Sequence, residues 1–191
     1  MIPLKINKQP SPEKGDLLLS EPFLTDNNFS RAVILLCEHN DEGSFGLILN
    51  NTLEIDLDEL VTDFPEVKIP VGFGGPVERN QLFYIHRNAS INGSAEISTN
   101  LYLGGDYMEI KRMISDNEMT PENLRFFIGY TGWSKGQLQS EIDELSWVVM
   151  KKPENFSAFS TIDDSLWREL ISQLGGKYRL MADYPLNPAD N

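Results

Sequence analysis

Apolar residues fall in short runs along much of the chain, and turn-forming residues separate them. Leu17–Leu19 reads as a strand opened by Gly15-Asp16. Ala32–Cys37 is the strongest strand, unbroken and β-branched enough to be covered on both faces. His39–Gly43 is turn chemistry, and Phe45–Leu49 returns as its partner. Asp56–Val61 supports only a short helix, and Val71–Val77 with Gln81–Arg87 reads as a hairpin around Glu78, Arg79 and Asn80. Glu96–Leu103, Leu124–Tyr130 and Trp147–Met150 are further strands.

Three longer segments carry helical periodicity. One starts at Asp106, with Glu109 placed for a capping box and Tyr107, Ile110 and Ile114 on one face. A second spans Lys135–Leu145. The third runs from about Asp163 to Leu174, with Leu166, Leu170 and Leu174 inward and Gly175-Gly176 as its stop. Residues 1–14 hold three prolines and read as an arm lying on the domain, and residues 177–191 as an irregular tail. Strands outnumber helices, and several neighbours are joined too tightly for crossover helices. The expectation is a single α+β domain over 15–176 with a mixed sheet.

Composition narrows the functional classes. The 191 residues carry 29 acids against 16 Lys and Arg, a net charge of −13, with no basic cluster. Nucleic-acid binding is not expected on that balance, since phosphate contacts need gathered Lys or Arg. Cys37 is the single cysteine, so no intrachain disulfide forms. No apolar run approaches membrane-spanning length, and the first residues lack the apolar stretch of a secretion signal. A cytoplasmic protein without membrane contact is the expectation.

Four features invite chemistry. Gly72, Gly74 and Gly75 match a dinucleotide fingerprint only loosely: Pro76 follows, and no helix opens there to aim N–H groups at a phosphate. Close backbone packing is the better reading. Gly132-Trp133-Ser134-Lys135-Gly136 matches the G-x-S-x-G pattern of a nucleophile elbow, in a strand–turn–helix setting. Both histidines, His39 and His86, precede Ser134, so the downstream base of a serine hydrolase is missing. Ser134 as N-cap with Gln137 as capping-box partner explains the segment better, with Trp133 and Leu138 as a hydrophobic staple. The same turn, with Lys135 beside helix N–H groups, is a candidate ligand or anion loop. Cys37 and His39 would share a strand face if the strand persisted through Glu38, giving a candidate reactive thiol. Against it stands a buried strand cysteine followed by a turn histidine. No ligand set for a metal is present, and no cofactor is implied.

Taken in order, GDLLLSEPF (15–23), AVILLCEHN (32–40), GSFGLILN (43–50), VGFGGPV (71–77), GYTGWSKGQLQSEI (129–142) and LWRELISQLG (166–175) resemble the AlgH/YqgE family of bacterial proteins. The resemblance covers about Gly15 to Gly176. It implies a compact α+β fold with a branched β-sheet around a small barrel and helices packed outside. That family is uncharacterised, with some members labelled transcriptional regulators, and it offers no catalytic residues to carry over. The functional expectation is a non-catalytic binding or regulatory module for an unknown protein or small-molecule partner. The alternative is a thiol enzyme or redox sensor at Cys37 and His39, or a serine hydrolase at Ser134.

Overall fold

The computed structural model describes residues 9–24, 26–64, 67–160, 163 and 165–184. Parts of the expected arm (1–8), of the loop at Thr25 and of the tail (185–191) lie outside the described residues. The strands are β1 (Leu17–Ser20), β2 (Val33–Asn40), β3 (Gly43–Ile48), β4 (Thr52–Asp56), β5 (Pro70–Phe73), β6 (Val77–His86), β7 (Ala95–Ser98), β8 (Leu101–Leu103), β9 (Leu124–Ser134) and β10 (Trp147–Met150). The helices are α1 (Leu57–Leu60), α2 (Tyr107–Ser115), α3 (Gln137–Asp143), α4 (Ser165–Gln173) and α5 (Gly176–Met181). The fold is α+β and sheet-dominated, as expected.

The ten strands form one sheet ordered β10-β1-β2-β3-β9-β6-β8-β7, with β4 and β5 branching from β9. All pairings are antiparallel except β5 on β9. The small barrel implied by the resemblance is absent among the described residues, because no ladder joins the ends β10 and β7. The outer edge of β10 is taken instead by Gln9, whose side-chain amide donates to the carbonyl of Trp147 at 2.9 Å and accepts from Val149 N–H at 2.8 Å. At the other end Lys14 Nζ donates to the carbonyl of Glu96 in β7. Both contacts blunt strand edges without closing the sheet.

Alternation along β1, β2 and β3 explains the unbroken apolar runs. Leu17, Leu19, Val33, Leu35 and Leu47 pack on one face under α4 residues Trp167, Leu170 and Ile171. Leu18, Ile34, Leu36 and Ile48 pack on the other with Leu138 and Ile142 of α3. A third core joins Ile110, Met113 and Ile114 of α2 to Val71, Tyr84, Leu124 and Phe126. The buried stripe of α4 is thus rotated from the expected one: Trp167 and Ile171 are buried, while Leu166 and Leu174 only flank the core.

Three further expectations need correction. β5 and β6 are not a hairpin, because β9 lies between them: Phe126 pairs with both Val71 and Tyr84. The chain crosses over β9 at Gly74 and Gly75, and the glycine-rich segment is there for that crossing. A Cβ on Gly74 would lie 2.3 Å from the carbonyl oxygen of Gly129, and one on Gly75 would lie 2.3 Å from Tyr130 backbone atoms. Glu96–Leu103 is not one strand but the β7–β8 hairpin, turned at Asn100 with φ +57°. Residues 177–181, expected to begin an irregular tail, belong to α5, since Gly175 ends one helix and caps the next.

Candidate functional site

The C-terminal half of β9 and the β2–β3 hairpin build a surface concavity. Gly43 opposes Ser134 and Phe45 opposes Gly132 across this ladder. On its other edge β9 has no ladder beyond Tyr130, which pairs with Val77 of β6. Ser134 N–H is directed to that open edge, where it donates to Gln137 Oε1 at 2.9 Å. By the two-residue period of a strand, Gly132 presents its backbone to the same edge.

The result is an open groove of about 460 Å³, lined by Glu38, Glu42, Phe45, Val77, Tyr130 and Gly132 among others. Its floor is aromatic: Tyr130 stacks on Phe45 with ring centroids 4.8 Å apart, and Phe83 lies edge-on to Tyr130 at 5.4 Å. A side chain at Gly132 would meet the Tyr130 ring at 2.9 Å, so the glycine keeps the backbone edge bare beside the ring. Val77 leaves 37% of its surface in water there. The rim carboxylates Glu38 and Glu42 are exposed.

Beneath this edge Trp133 is locked into the core. It is buried, meets Trp147 edge-to-face at 5.8 Å, and donates its indole N–H to Glu141 Oε2 at 2.8 Å. Trp147 donates to the same oxygen at 2.7 Å, and Gln137 Nε2 to Oε1 at 2.9 Å. One carboxylate therefore fixes two indoles and the first turn of α3, a relay that no sequence motif announces. The spacing Trp133, Gln137, Glu141 (four residues apart across the turn) is its only signal.

The expected N-cap is displaced by two residues. β9 continues through Ser134, Lys135-Gly136 form the turn, and Gly136 in the left-handed region at φ +76° caps α3 without a side-chain bond. The Ser134 hydroxyl donates to Gln137 Oε1 at 3.1 Å instead of accepting a helix N–H. The staple pair holds, since Trp133 and Leu138 share one core. Ser134→Ala is therefore expected to cost under about 0.5 kcal/mol, as for an exposed surface substitution. Ser134→Gly should cost more, about 0.5–1 kcal/mol, because glycine weakens a strand. Chemical denaturation of the two variants reads this order, which is the reverse of the one an N-cap serine would give.

The candidate nucleophiles are not brought together. Cys37 is buried in the α4-side core, its Sγ 3.5 Å from the carbonyl of Leu35. It is the extra residue of a bulge between Leu36 and Glu38, which disturbs the alternation that would align it with His39. Burial pushes the thiol well above the ordinary thiol range, the opposite of what a thiolate nucleophile requires. Because its folded pKa is raised, Cys37 favours the fold below the unfolded thiol value of about 8.5 and loses that contribution as pH rises past it. Slow alkylation in the native state, fast alkylation in denaturant and declining stability above pH about 8.5 are the expected results.

His39 pairs across the hairpin with Ser44, Nδ1 to Oγ at 2.7 Å. The register of the two-residue turn at Asp41-Glu42 sets that pair. Ser44 lines the groove, but among the described residues no group orients the far ring nitrogen of His39, as a catalytic base requires. His86 is buried, with Nε2 on the carbonyl of Gly104 and Nδ1 accepting from Asn88 N–H, and desolvation lowers its pKa. Neither histidine bonds Ser134. Gly132, Trp133 and Ser134 line the groove, whereas Lys135 and Gly136 are exposed in the turn beside it.

These features define a sheet-based α+β protein that presents an open strand edge. The chain belongs to the AlgH-like family, DUF179, whose sequence pattern matches residues 17–179. It is 40% identical to a UPF0301 protein of Bacteroides thetaiotaomicron, over 94% of this chain and 92% of that one. A UPF0301 protein of Chlorobium luteolum is 39% identical over 93% of this chain and 94% of its own. The solution structure of the AlgH protein of Pseudomonas aeruginosa superposes with a TM-score of 0.71 at 26% identity, covering 93% of this chain and 98% of that one. Protein DIP2367 of Corynebacterium diphtheriae shares the fold, with a TM-score of 0.73 at 20% identity over 93% and 95% of the two chains. Among the described residues no helix is long and apolar enough to cross a membrane.

Proposed function

We propose that this protein is a non-catalytic binding module whose groove at Gly132 takes an extended, positively charged segment of a partner protein. The observation that carries this is the bare backbone edge at Gly132 set between an aromatic floor and the carboxylates of Glu38 and Glu42. An open strand edge pairs with an extended peptide through main-chain hydrogen bonds, and flanking side chains choose among sequences. Tyr130 and Phe45 offer rings to a guanidinium or ammonium group, and the rim acids add charge complementarity. A net charge of −13 steers cationic partners in the same direction. A regulatory role through such a partner is consistent with these features and requires no reacting group in the groove.

A capped peptide of alternating Arg and Val serves as the probe, with its Glu–Val counterpart as control. Saturable binding of the basic peptide is expected by calorimetry, weakening about threefold to tenfold in Glu38→Gln/Glu42→Gln protein, as for two exposed charge pairs. Equal affinity for both peptides, or no effect of the double substitution, would contradict the proposal.

A further inference from the structure

Arg125 is placed where a charge needs a partner, and it has no carboxylate among the described residues. It lies on β9 between Leu124 and Phe126, which enter the α2-side core, so its side chain projects to the opposite face with Phe127. Its guanidinium donates to the carbonyls of Ala158, at 3.3 Å, and of Leu49, and lies 4.9 Å over the Phe127 ring. Among the described residues no Asp or Glu lies within 4.0 Å of it. Burial lowers its pKa to about 10, which leaves it charged at neutral pH. In a chain with 29 acids against 16 bases, a half-buried guanidinium without a carboxylate among the described residues is unexpected, since charges drawn inward are ordinarily paired.

The two carbonyls engage two of its five N–H donors. Arg125 also lines a cavity of about 160 Å³, together with Thr52, Ile69, Pro70, Phe159 and Ser160. Phe159 in turn carries the guanidinium of Arg87 4.8 Å over its ring, and that group donates to Ser157 Oγ at 3.1 Å. The geometry points to a second binding site, in which Arg125 receives the carboxylate of a small organic acid. The Thr52 hydroxyl supplies a further donor, while that of Ser160 is held by the carbonyl of Ser157, and Ile69, Pro70 and Phe159 pack the apolar part of the ligand.

The guanidinium fork matches two oxygens of either a carboxylate or a phosphate, and two other features favour the carboxylate. Pro70 and Pro121 in the wall have no N–H groups from which to build a phosphate nest. The volume equals that of about five waters at about 30 Å³ each, enough for a carboxylate on a short chain.

The test titrates the ¹⁵N-labelled full chain with sodium butyrate, inorganic phosphate and sodium chloride at matched ionic strength. The Arg125 Nε–H and the amides of Thr52 and Ser160 are followed. Butyrate is expected to shift these signals saturably, with phosphate weaker and chloride without effect. Arg125→Lys should weaken butyrate about tenfold or more, as loss of a charged bidentate contact does. That variant also loosens the bonds to Leu49 and Ala158, so Thr52→Val, at an exposed side chain, is the independent arm. It should weaken butyrate about threefold to tenfold with the melting curve unchanged. Shifts that do not saturate, that chloride reproduces, that fall elsewhere on the protein, or that phosphate produces at lower concentration would each overturn the assignment.

Discussion

Gly75→Ala is expected to destabilise the protein by about 2–6 kcal/mol, the sum of a strained backbone and an overpacked contact. Gly75 sits at φ +152°, and a Cβ there would lie 2.3 Å from Tyr130 carbonyl atoms and 2.4 Å from Thr131 Oγ1. The obstruction is the backbone of β9, which pairs with strands on both sides and cannot retreat without breaking a ladder. Gly129 faces the same crossing, where an added Cβ would meet the carbonyl of Gly75 at 2.4 Å. Gly136→Ala separates the two contributions. Gly136 also has positive φ but nothing within 4 Å of an added Cβ, so only the strain of about 1–3 kcal/mol applies. Urea melts of both variants check this. A Gly75→Ala loss no larger than that of Gly136→Ala would show that the crossing has room.

Trp133→Ala should cost about 3–5 kcal/mol, the usual range for deleting a large buried aromatic. The cavity would open against Trp147 and Leu138, and Glu141 would lose one of its three donors. Trp133→Phe keeps a six-membered ring but not the indole N–H, so about 1.5–3 kcal/mol is expected from the bond to a charged acceptor. Glu141→Gln tests the relay from the other side, since an amide oxygen can still accept but the charge is gone. Equilibrium unfolding of the three variants should rank Trp133→Ala first. If Trp133→Phe is as damaging as Trp133→Ala, the hydrogen bond to Glu141 outweighs the packing and the staple is misjudged.

Much of this architecture is legible in the chain because its runs are long and one-sided. Ala32–Cys37 can only be a strand covered on both faces, and Leu18 and Ile34 face α3 while Leu17 and Leu35 face α4. Asp106 announces α2 by a local rule, its side chain accepting from the N–H groups of Met108 and Glu109. What stays hidden depends on distant partners. Val71–Val77 and Gln81–Arg87 look like a hairpin from composition, and nothing local says that β9, some fifty residues on, enters between them. The two-residue displacement of the α3 cap has the same origin. Pairing with β3 through Ser134 holds the chain extended, so tertiary structure overrides the serine's capping preference.

The site divides along the same line. Gly132, Trp133 and Ser134 carry the pattern of a nucleophile elbow, a cap and a ligand loop. They lie together on the groove for another reason, as the open end of a central strand. Cys37 stands out by its chemistry but lies in the core, because a bulge and a continuous apolar run place it there. Glu38, Glu42 and Tyr130 give no signal in the sequence, since exposed acids and one tyrosine carry no motif. Only the hairpin register and the β9 edge bring them together.

The proposed binding role rests on the open edge, and mapping where a ligand touches the protein tests it most directly. Backbone amide shifts of the ¹⁵N-labelled protein, titrated with the Arg–Val peptide, should move at Ser44, Phe45, Tyr130, Gly132 and Ser134. The Gly132 amide should move furthest and gain protection from hydrogen exchange as a ladder bond forms. Perturbations that leave Gly132 unmoved, or that spread over the acidic surface without a centre, would contradict the groove as the site of recognition.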